Sequence, residues 1–380
     1  MNLNQIKKGI GNPGLVQRYL EGTFRTPLLH LYRLIGKEYT PPLQTLGIEV
    51  NSICNMRCRM CDIGQQQKDM QFSKNLGVGG ELSLDILTAV LDDIKKYYPY
   101  ITINATEPLL YEPLPAVIKY CTDNGLVSSV TTNGLLLQAR ARELVEAGLT
   151  DLWVSIDGPG AIHDAIRGVP HSFDSALTGI TTVADKKRKK RSVTPVVGIA
   201  YTISDYNYSH LVKTADIFKK RGVDRIVYTH LNFIDTSMAE EHNKRYAHIF
   251  GEVTPSSVSG VNPKKVDTKV LAHQIALLKK KYPDFVRFLP DLEAEDIEPY
   301  YNDSLKFVKS STCDMAWRYA QVCSNGDVIP TPRCFHLVMG NIYETPLTAI
   351  WKGTPFKKFR TAVHTVGVTP ACARCCSLFG

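Results

Sequence analysis

Of the ten cysteines in this 380-residue chain, nine fall into two groups: Cys54, Cys58 and Cys61, then Cys313, Cys323, Cys334, Cys372, Cys375 and Cys376. A reducing compartment disfavours structural disulfides, so thiols gathered in this way point to metal or cluster ligation. Structural zinc takes four closed ligands, usually as repeated CxxC pairs or with histidines. The first group, "CNMRCRMC", is instead CxxxCxxC with no fourth ligand nearby. Four thiolates hold an ordinary [4Fe–4S] cluster, and three would leave one iron open to another ligand. Cys121 stands apart, on an apolar helical pattern where a small buried hydrophobe is expected.

The elements that must position these thiols alternate in type. Strand patterns are "LGIEVNS" (46–52), "YITINAT" (100–106), "LVSSVTT" (126–132), "DLWVSID" (151–157), "TPVVGIAYTI" (194–203) and "DRIVYTHL" (224–231). Helical patterns lie between them, at 83–98, 116–125, 138–148, 174–189 and 209–222. Six such units, with strands too apolar to have a wet face, give an α/β fold with a parallel sheet covered by helices. In that architecture ligands gather beyond the carboxyl ends of the strands. The first strand pattern ends at Ser52, so Cys54 opens the loop at that end.

CxxxCxxC on this loop resembles the radical S-adenosylmethionine (radical SAM) superfamily. Three further stretches match it in order. "NATEPLL" (104–110) stands where the family has a GGEP-type turn, with Glu107 and Pro108 kept and Ala105 and Thr106 in place of glycines. "TTNG" (131–134), with Thr132 and Asn133, resembles the end of the third strand, and "VSIDGPGAIHDAIRG" (154–168) resembles an S-x-D-G strand end followed by an H-D-x-x-R-G helix. The resemblance implies a partial (β/α)6 TIM-like barrel and a [4Fe–4S] cluster whose open iron is chelated by the amino and carboxylate groups of S-adenosylmethionine (SAM). It places Glu107 at the methionine amino group, and Ser155 and Arg167 near the SAM carboxylate and ribose. An arginine suits a carboxylate because its planar fork grips it bidentately. The implied chemistry is one-electron cleavage of SAM to a 5′-deoxyadenosyl radical that takes hydrogen from an unactivated C–H bond. A reductase such as flavodoxin or ferredoxin is the implied electron donor.

The second cysteine group resembles the SPASM or twitch extension of the same enzymes. Its features are Cys313, an "NGDV" hairpin turn, Cys334, "GNI" before "LTAIW", and a terminal CxxC. Cys313, Cys334, Cys372 and Cys375 form the natural set for one auxiliary [4Fe–4S] cluster, and six cysteines suggest the single-cluster twitch form. The interval from Gly326 to Cys334 is about three residues longer than the family's. Cys323 and Cys376 are surplus: Cys376 is an alternative to Cys375, and Cys323 is a buried structural thiol or a hydrogen donor to a substrate radical. A zinc ribbon is the structural alternative for this group.

The expected organisation is an N-terminal helical extension (1–45), a barrel core (46–235), a helical completion and linker (236–309) and an auxiliary cluster domain (310–380). The residues ahead of the barrel are too few for a leader-peptide-binding domain, and no segment is long enough to bind cobalamin. A small polar metabolite such as a sugar, cyclitol or amino-modified compound is therefore expected as substrate, to be oxidised or epimerised. Tyr201, Tyr228, His230 and Asn232, on or after the last two strands, are candidates for its pocket. A maturase of a peptide or protein, and an iron–sulfur or zinc protein without SAM chemistry, are the alternatives.

The net charge of +8 comes largely from "DKKRKKR" (185–191), which has no interleaved aromatics for base stacking, so nucleic acid is not expected as a partner. No apolar run approaches the roughly 20 residues that span a bilayer, and no secretory signal opens the chain, which gives a cytoplasmic expectation. The stretch 13–36 is amphipathic and basic. It is expected to pack outside the barrel, with membrane contact as the alternative.

Overall fold

The computed structural model describes residues 40–77, 79–308 and 312–378; the amphipathic stretch 13–36 lies outside them. Ten strands form one sheet: β1 (Thr45–Ile48), β2 (Tyr100–Ile103), β3 (Ser128–Thr132), β4 (Asp151–Ser155), β5 (Val196–Ile203), β6 (Arg225–His230), β7 (Val286–Leu289), β8 (Tyr319–Val322), β9 (Asp327–Ile329) and β10 (Gly340–Asn341). Their order is β10-β9-β8-β1-β2-β3-β4-β5-β6-β7. The first eight pair in parallel, and β9 and β10 continue antiparallel.

Among the described residues, twelve α-helices accompany them. These are α1 (Gln71–Asn75), α2 (Leu84–Ile94), α3 (Leu114–Asp123), α4 (Leu137–Ala147), α5 (Ala161–Arg167), α6 (Ser172–Lys190), α7 (Leu211–Lys219), α8 (Thr236–Phe250), α9 (Thr268–Lys281), α10 (Ala294–Asn302), α11 (Leu347–Lys352) and α12 (Thr354–Val366). Local chemistry sets their ends. Ser83 caps α2 by accepting from Ile86 N at 3.3 Å, and Asp235 caps α8 by accepting from Met238 N at 2.9 Å. Leu87, Val90, Leu91 and Ile94, at helical spacing, turn one face of α2 to the core.

Pairing register sorts every barrel strand into two faces. Leu46, Ile101, Val130, Leu152, Ile199 and Ile226 share the face that packs on the helices, and all are buried. Neighbours one residue along face the lumen. At the amino ends of the strands the lumen is closed by polar and aromatic side chains: Arg225 pairs with Asp151 at 2.6 Å and stacks on Trp153, and Tyr100 Oη donates to Asp151 at 3.2 Å. Tyr319 of β8 lies so close over β1 that a Cβ on Gly47 would stand 2.0 Å from its hydroxyl, so only glycine fits there. Toward the carboxyl ends the lumen wall changes to small residues, including Thr131, Ser155, Ala200, Thr202 and Thr229.

All six strands expected from the sequence are present. Two features were not read there. The 236–309 segment contributes a strand, β7, besides helices α8, α9 and α10. The cysteine-bearing C-terminal hairpin is not a separate layer, because β8 pairs in parallel with β1 and continues the barrel sheet.

Candidate active site

The cysteine loop after β1 is tied to the next three strand ends by buried polar groups. Asn51 Nδ2 donates to the Glu107 carbonyl at 3.1 Å, and Glu107 N donates to the Ile53 carbonyl at 3.1 Å. Thr106 Oγ1 reaches the Asn51 carbonyl at 2.7 Å. Asn133 Nδ2 donates to Asn55 Oδ1 at 2.7 Å. The Glu107 carboxylate accepts from Leu109 N, Thr132 Oγ1 and Asn133 N, at 2.9, 2.7 and 2.7 Å. Burial pushes its pKa up against those three donors. Glu107, Thr132 and Asn133 are thus brought together beside the cysteine loop, with Glu107 facing the protein rather than solvent. Ala105 sits at φ 84, in the region where the glycine it replaces would be unstrained.

On the other side, the helix after β4 grips the same loop. Arg57 N donates to the Arg167 carbonyl at 3.1 Å and Arg59 N to the Ile166 carbonyl at 2.9 Å, one bond on each side of Cys58. Arg167 Nη1 lies 3.7 Å from Cys58 Sγ, and Arg167 Nε lies 2.5 Å from Oδ2 of the fully buried Asp157. Burial works against the guanidinium's charge, but Asp157 and then Cys58 outweigh it and hold its pKa up. Arg167 is therefore committed to Asp157 and the cysteine loop, instead of standing free for a carboxylate as the sequence implied. Ser155 ends β4 half-buried, its hydroxyl without a protein partner among the described residues.

The three thiols feel one another. Burial pushes Cys58 up to about 12 against the pull of Arg167, with Cys61, Asp157 and Cys54 pushing further. Cys54 is raised by burial too, and by Glu107 and Cys61. Among the described residues no three histidine, cysteine or acidic groups are drawn tightly enough to hold a single ion. A four-iron cube is bulkier and holds its thiolates further apart. Three soft donors on one loop with a cation beside the middle one fit such a cluster.

None of the ten cysteines is in a disulfide. Burial raises the Cys334 thiol, and the nearby Cys372, Cys313 and Cys375 thiols raise it further, which puts these four at one place. Cys376 turns away: its sulfur accepts from Asn232 Nδ2 at 3.2 Å. Cys323 is also apart, on the lumen side of β8, where its electrostatic neighbours are Glu49 and Asp327 and its thiol donates to the Asn75 carbonyl at 3.5 Å. Glu49 is fully buried at the end of β1, where burial pushes its carboxyl up to about 7 despite bonds from Gly77 N and Ser324 N.

The two thiol sets are laced together. Asp62, next to Cys61, accepts from Ser256 Oγ and Ser257 N, both at 2.7 Å, and Ser257 Oγ accepts from Arg333 Nη1, next to Cys334, at 2.8 Å. Asn75 Nδ2 of α1 donates to the Cys334 carbonyl at 2.6 Å. Sequence reasoning missed Glu49, Asp62, Asp157 and Arg333; a charged residue inside the apolar "LGIEVNS" was the available signal for the first.

Three expected pocket residues do not reach the lumen. Tyr201 and Tyr228 are register partners on the helix-facing side, their hydroxyls donating to the Asn207 and Leu211 carbonyls. His230 shares that face, against Tyr300 and Tyr301 of α10, and burial pushes its pKa down to about 3. The side chains are packed there because odd-numbered positions of β5 and even-numbered positions of β6 point to the helices. Asn232 lies past the strand end, beside Cys376.

A parallel α/β barrel with a three-thiol loop at the carboxyl end of its first strand, and a second thiol set beside it, defines an iron–sulfur enzyme built to leave one iron open. Comparison with known proteins gives the family. Residues 48–218 match the radical SAM superfamily and residues 313–376 the SPASM iron–sulfur cluster-binding domain. The chain belongs to the radical SAM superfamily and carries a C-terminal SPASM domain. It is a radical SAM enzyme, using a [4Fe–4S] cluster with SAM and SPASM auxiliary iron–sulfur binding; the reading without SAM chemistry is set aside by this match.

An "AdoMet-dependent heme synthase" of Methanosarcina barkeri is 26% identical over 338 residues, 85% of this chain and 86% of that protein. "Fe-coproporphyrin III synthase" of the same organism and "Pre-heme d1 synthase" of Dinoroseobacter shibae are each 30% identical over 180 residues, 47% of this chain. The chain matches only 41% of the length of each of those two. Among solved structures, Streptococcus suis SuiB bound to S-adenosylmethionine superposes with a TM-score of 0.61 at 14% identity, covering 94% of this chain and 78% of that one. That likeness is one of fold. Among the described residues no helix is long and apolar enough to cross a membrane.

Proposed function

We propose that this enzyme removes hydrogen from an unactivated C–H bond of a polar organic substrate seated in the barrel lumen, between the Cys54–Cys61 loop and the auxiliary thiols. The observation that carries this reading is the upper lumen wall. Thr131, Ser155, Thr202 and Thr229 present small hydroxyl side chains with no hydrogen-bond partner of their own among the described residues. Such a wall leaves room for a ligand and offers donors and acceptors to its polar groups. When bound, the cluster and SAM supply the one-electron cleavage that makes hydrogen abstraction feasible.

The chain's own residues do the rest. Cys54, Cys58 and Cys61 would hold the first cluster, and Cys313, Cys334, Cys372 and Cys375 the second. Glu107, fixed by Thr132 and Asn133, supports the turn on which the methionine amino group would rest. The plug of Asp151, Arg225 and Trp153 closes the lumen floor to water. Asp62, Ser257 and Arg333 tie the first loop to the loop of Cys334, an arrangement in which a second cluster held by the auxiliary thiols would serve as an electron acceptor, which favours oxidation over epimerisation. Cys323, covered and turned to Glu49, is poorly placed to quench such a radical.

A second reading, a heme-type macrocycle as substrate, is favoured by similarity along most of the chain to the AdoMet-dependent heme synthases. One experiment separates the two. Anaerobically reconstituted protein with SAM and dithionite is offered a polar metabolite extract or Fe-coproporphyrin III, and 5′-deoxyadenosine is followed with the mass of the substrate. Stimulation by the extract, with a metabolite losing two hydrogens, supports the first reading. Stimulation by the porphyrin alone replaces it with the second.

A further inference from the structure

We propose that Arg167 is a positioning residue for the first cluster: its guanidinium, clamped by Asp157, hydrogen-bonds the Cys58 sulfur and so favours the reduced cluster, and it does not grip the SAM carboxylate. The arrangement is built rather than incidental. Asp157 is fully buried, and its Oδ1 accepts from Thr202 N of β5 at 2.9 Å while its carbonyl accepts from Asn207 Nδ2 at 3.0 Å. That fixes a negative charge 2.5 Å from Arg167 Nε. The far side of the guanidinium points at Cys58 Sγ, 3.7 Å from Nη1.

The backbone locks the distance between helix and loop. The bonds from Arg57 N and Arg59 N to the end of α5 bracket Cys58. Gly168, at φ 70, brings the chain so near that a Cβ would stand 2.6 Å from the Arg57 carbonyl oxygen. The side chain is only 12% exposed, so the charge acts with little screening by water.

Accepting an electron adds one negative charge to a cluster. A cation with an N–H directed at a ligating sulfur stabilises that state, and hydrogen bonds to cluster sulfurs are among the protein's means of setting the potential. Asp157 acts in the opposite sense while holding the arginine in place. The two members of the pair therefore have opposite effects on the same electron, which a purely structural role would not produce.

The test is a redox titration of the full, anaerobically reconstituted chain. The first cluster is identified as the EPR signal that changes on adding SAM, which requires an open iron. The midpoint potential of that signal is expected to move negative in Arg167→Met, less so in Arg167→Lys, and positive in Asp157→Asn. SAM affinity of the oxidised protein is expected to hold in Arg167→Lys. If Arg167→Met fails to take up iron, Arg167→Lys and Asp157→Asn still carry opposite expectations. Unchanged potentials, or shifts of the same sign in the two, overturn the proposal. So does a loss of SAM affinity of more than about tenfold in Arg167→Lys at constant potential, the signature of a lost charged hydrogen bond to the ligand.

Discussion

At the scale of single residues, two positions carry testable strain. Ala105 holds φ 84, a conformation that costs an L-residue roughly 1–2 kcal/mol. Ala105→Gly is expected to stabilise the protein by up to about 1 kcal/mol, since glycine's extra freedom in the unfolded chain offsets part of the relief. Denaturant unfolding of the two proteins measures this, and a loss of stability would show that the turn needs the methyl group. Glu49 is the other position. Burial holds its carboxyl up at about 7, above the ordinary carboxylate range, so the folded state holds the proton more tightly. The resulting stability is fully present below the unfolded pKa and is lost as pH rises through the folded one. Wild type should therefore lose ground to Glu49→Gln between about pH 5 and pH 8, by on the order of 3 kcal/mol or less. Parallel stability profiles for the two would contradict the buried, proton-holding carboxyl.

At the scale of elements, the cysteine loop and the strand ends beside it were legible because the signals are local: apolar runs of strand length, cysteine spacing and turn residues. What was not legible was which face of a strand a residue takes. Tyr201, Tyr228 and His230 follow the apolar parity of β5 and β6, and the pairing register leaves Thr202 and Thr229 on the lumen face instead. Short α1 shows a second kind of information the sequence hides, a contact between distant segments. Asn75 anchors the carbonyls of Pro332 and Cys334, at 3.2 and 2.6 Å, so a helix that follows the first thiols also shapes the loop of the second. Asn75→Ala is expected to speed iron release from the auxiliary site to a chelator, although Asn75 is itself no ligand, because the Pro332 carbonyl loses this donor and the Cys334 carbonyl keeps only the longer bond from Gln71 Nε2 at 3.3 Å. Equal release rates from both proteins would show that α1 does not support that loop.

At the scale of the whole molecule, the barrel and the SPASM region share one sheet. Glu49 N donates to the Val322 carbonyl at 2.9 Å, and Gln44 N and Thr45 N both donate to Arg318. No sequence pattern announces such a pairing, since its partners lie some 270 residues apart. Removing residues 309–380 would strip β1 of its neighbour and leave a buried edge of unpaired backbone groups. The shortened chain is expected to aggregate, and a monodisperse species with native circular dichroism would contradict the shared sheet. The assignment of two cluster sites to two thiol sets rests on this same architecture. Its most direct test is iron and sulfide analysis of the anaerobically reconstituted chain beside its Cys54→Ala/Cys58→Ala/Cys61→Ala variant, with 5′-deoxyadenosine release from SAM measured on both. About eight iron and eight sulfide are expected in the parent and about four of each in the variant, with 5′-deoxyadenosine release abolished. Equal iron in both proteins, or undiminished SAM cleavage by the variant, would contradict the placement of the SAM-cleaving cluster on Cys54, Cys58 and Cys61.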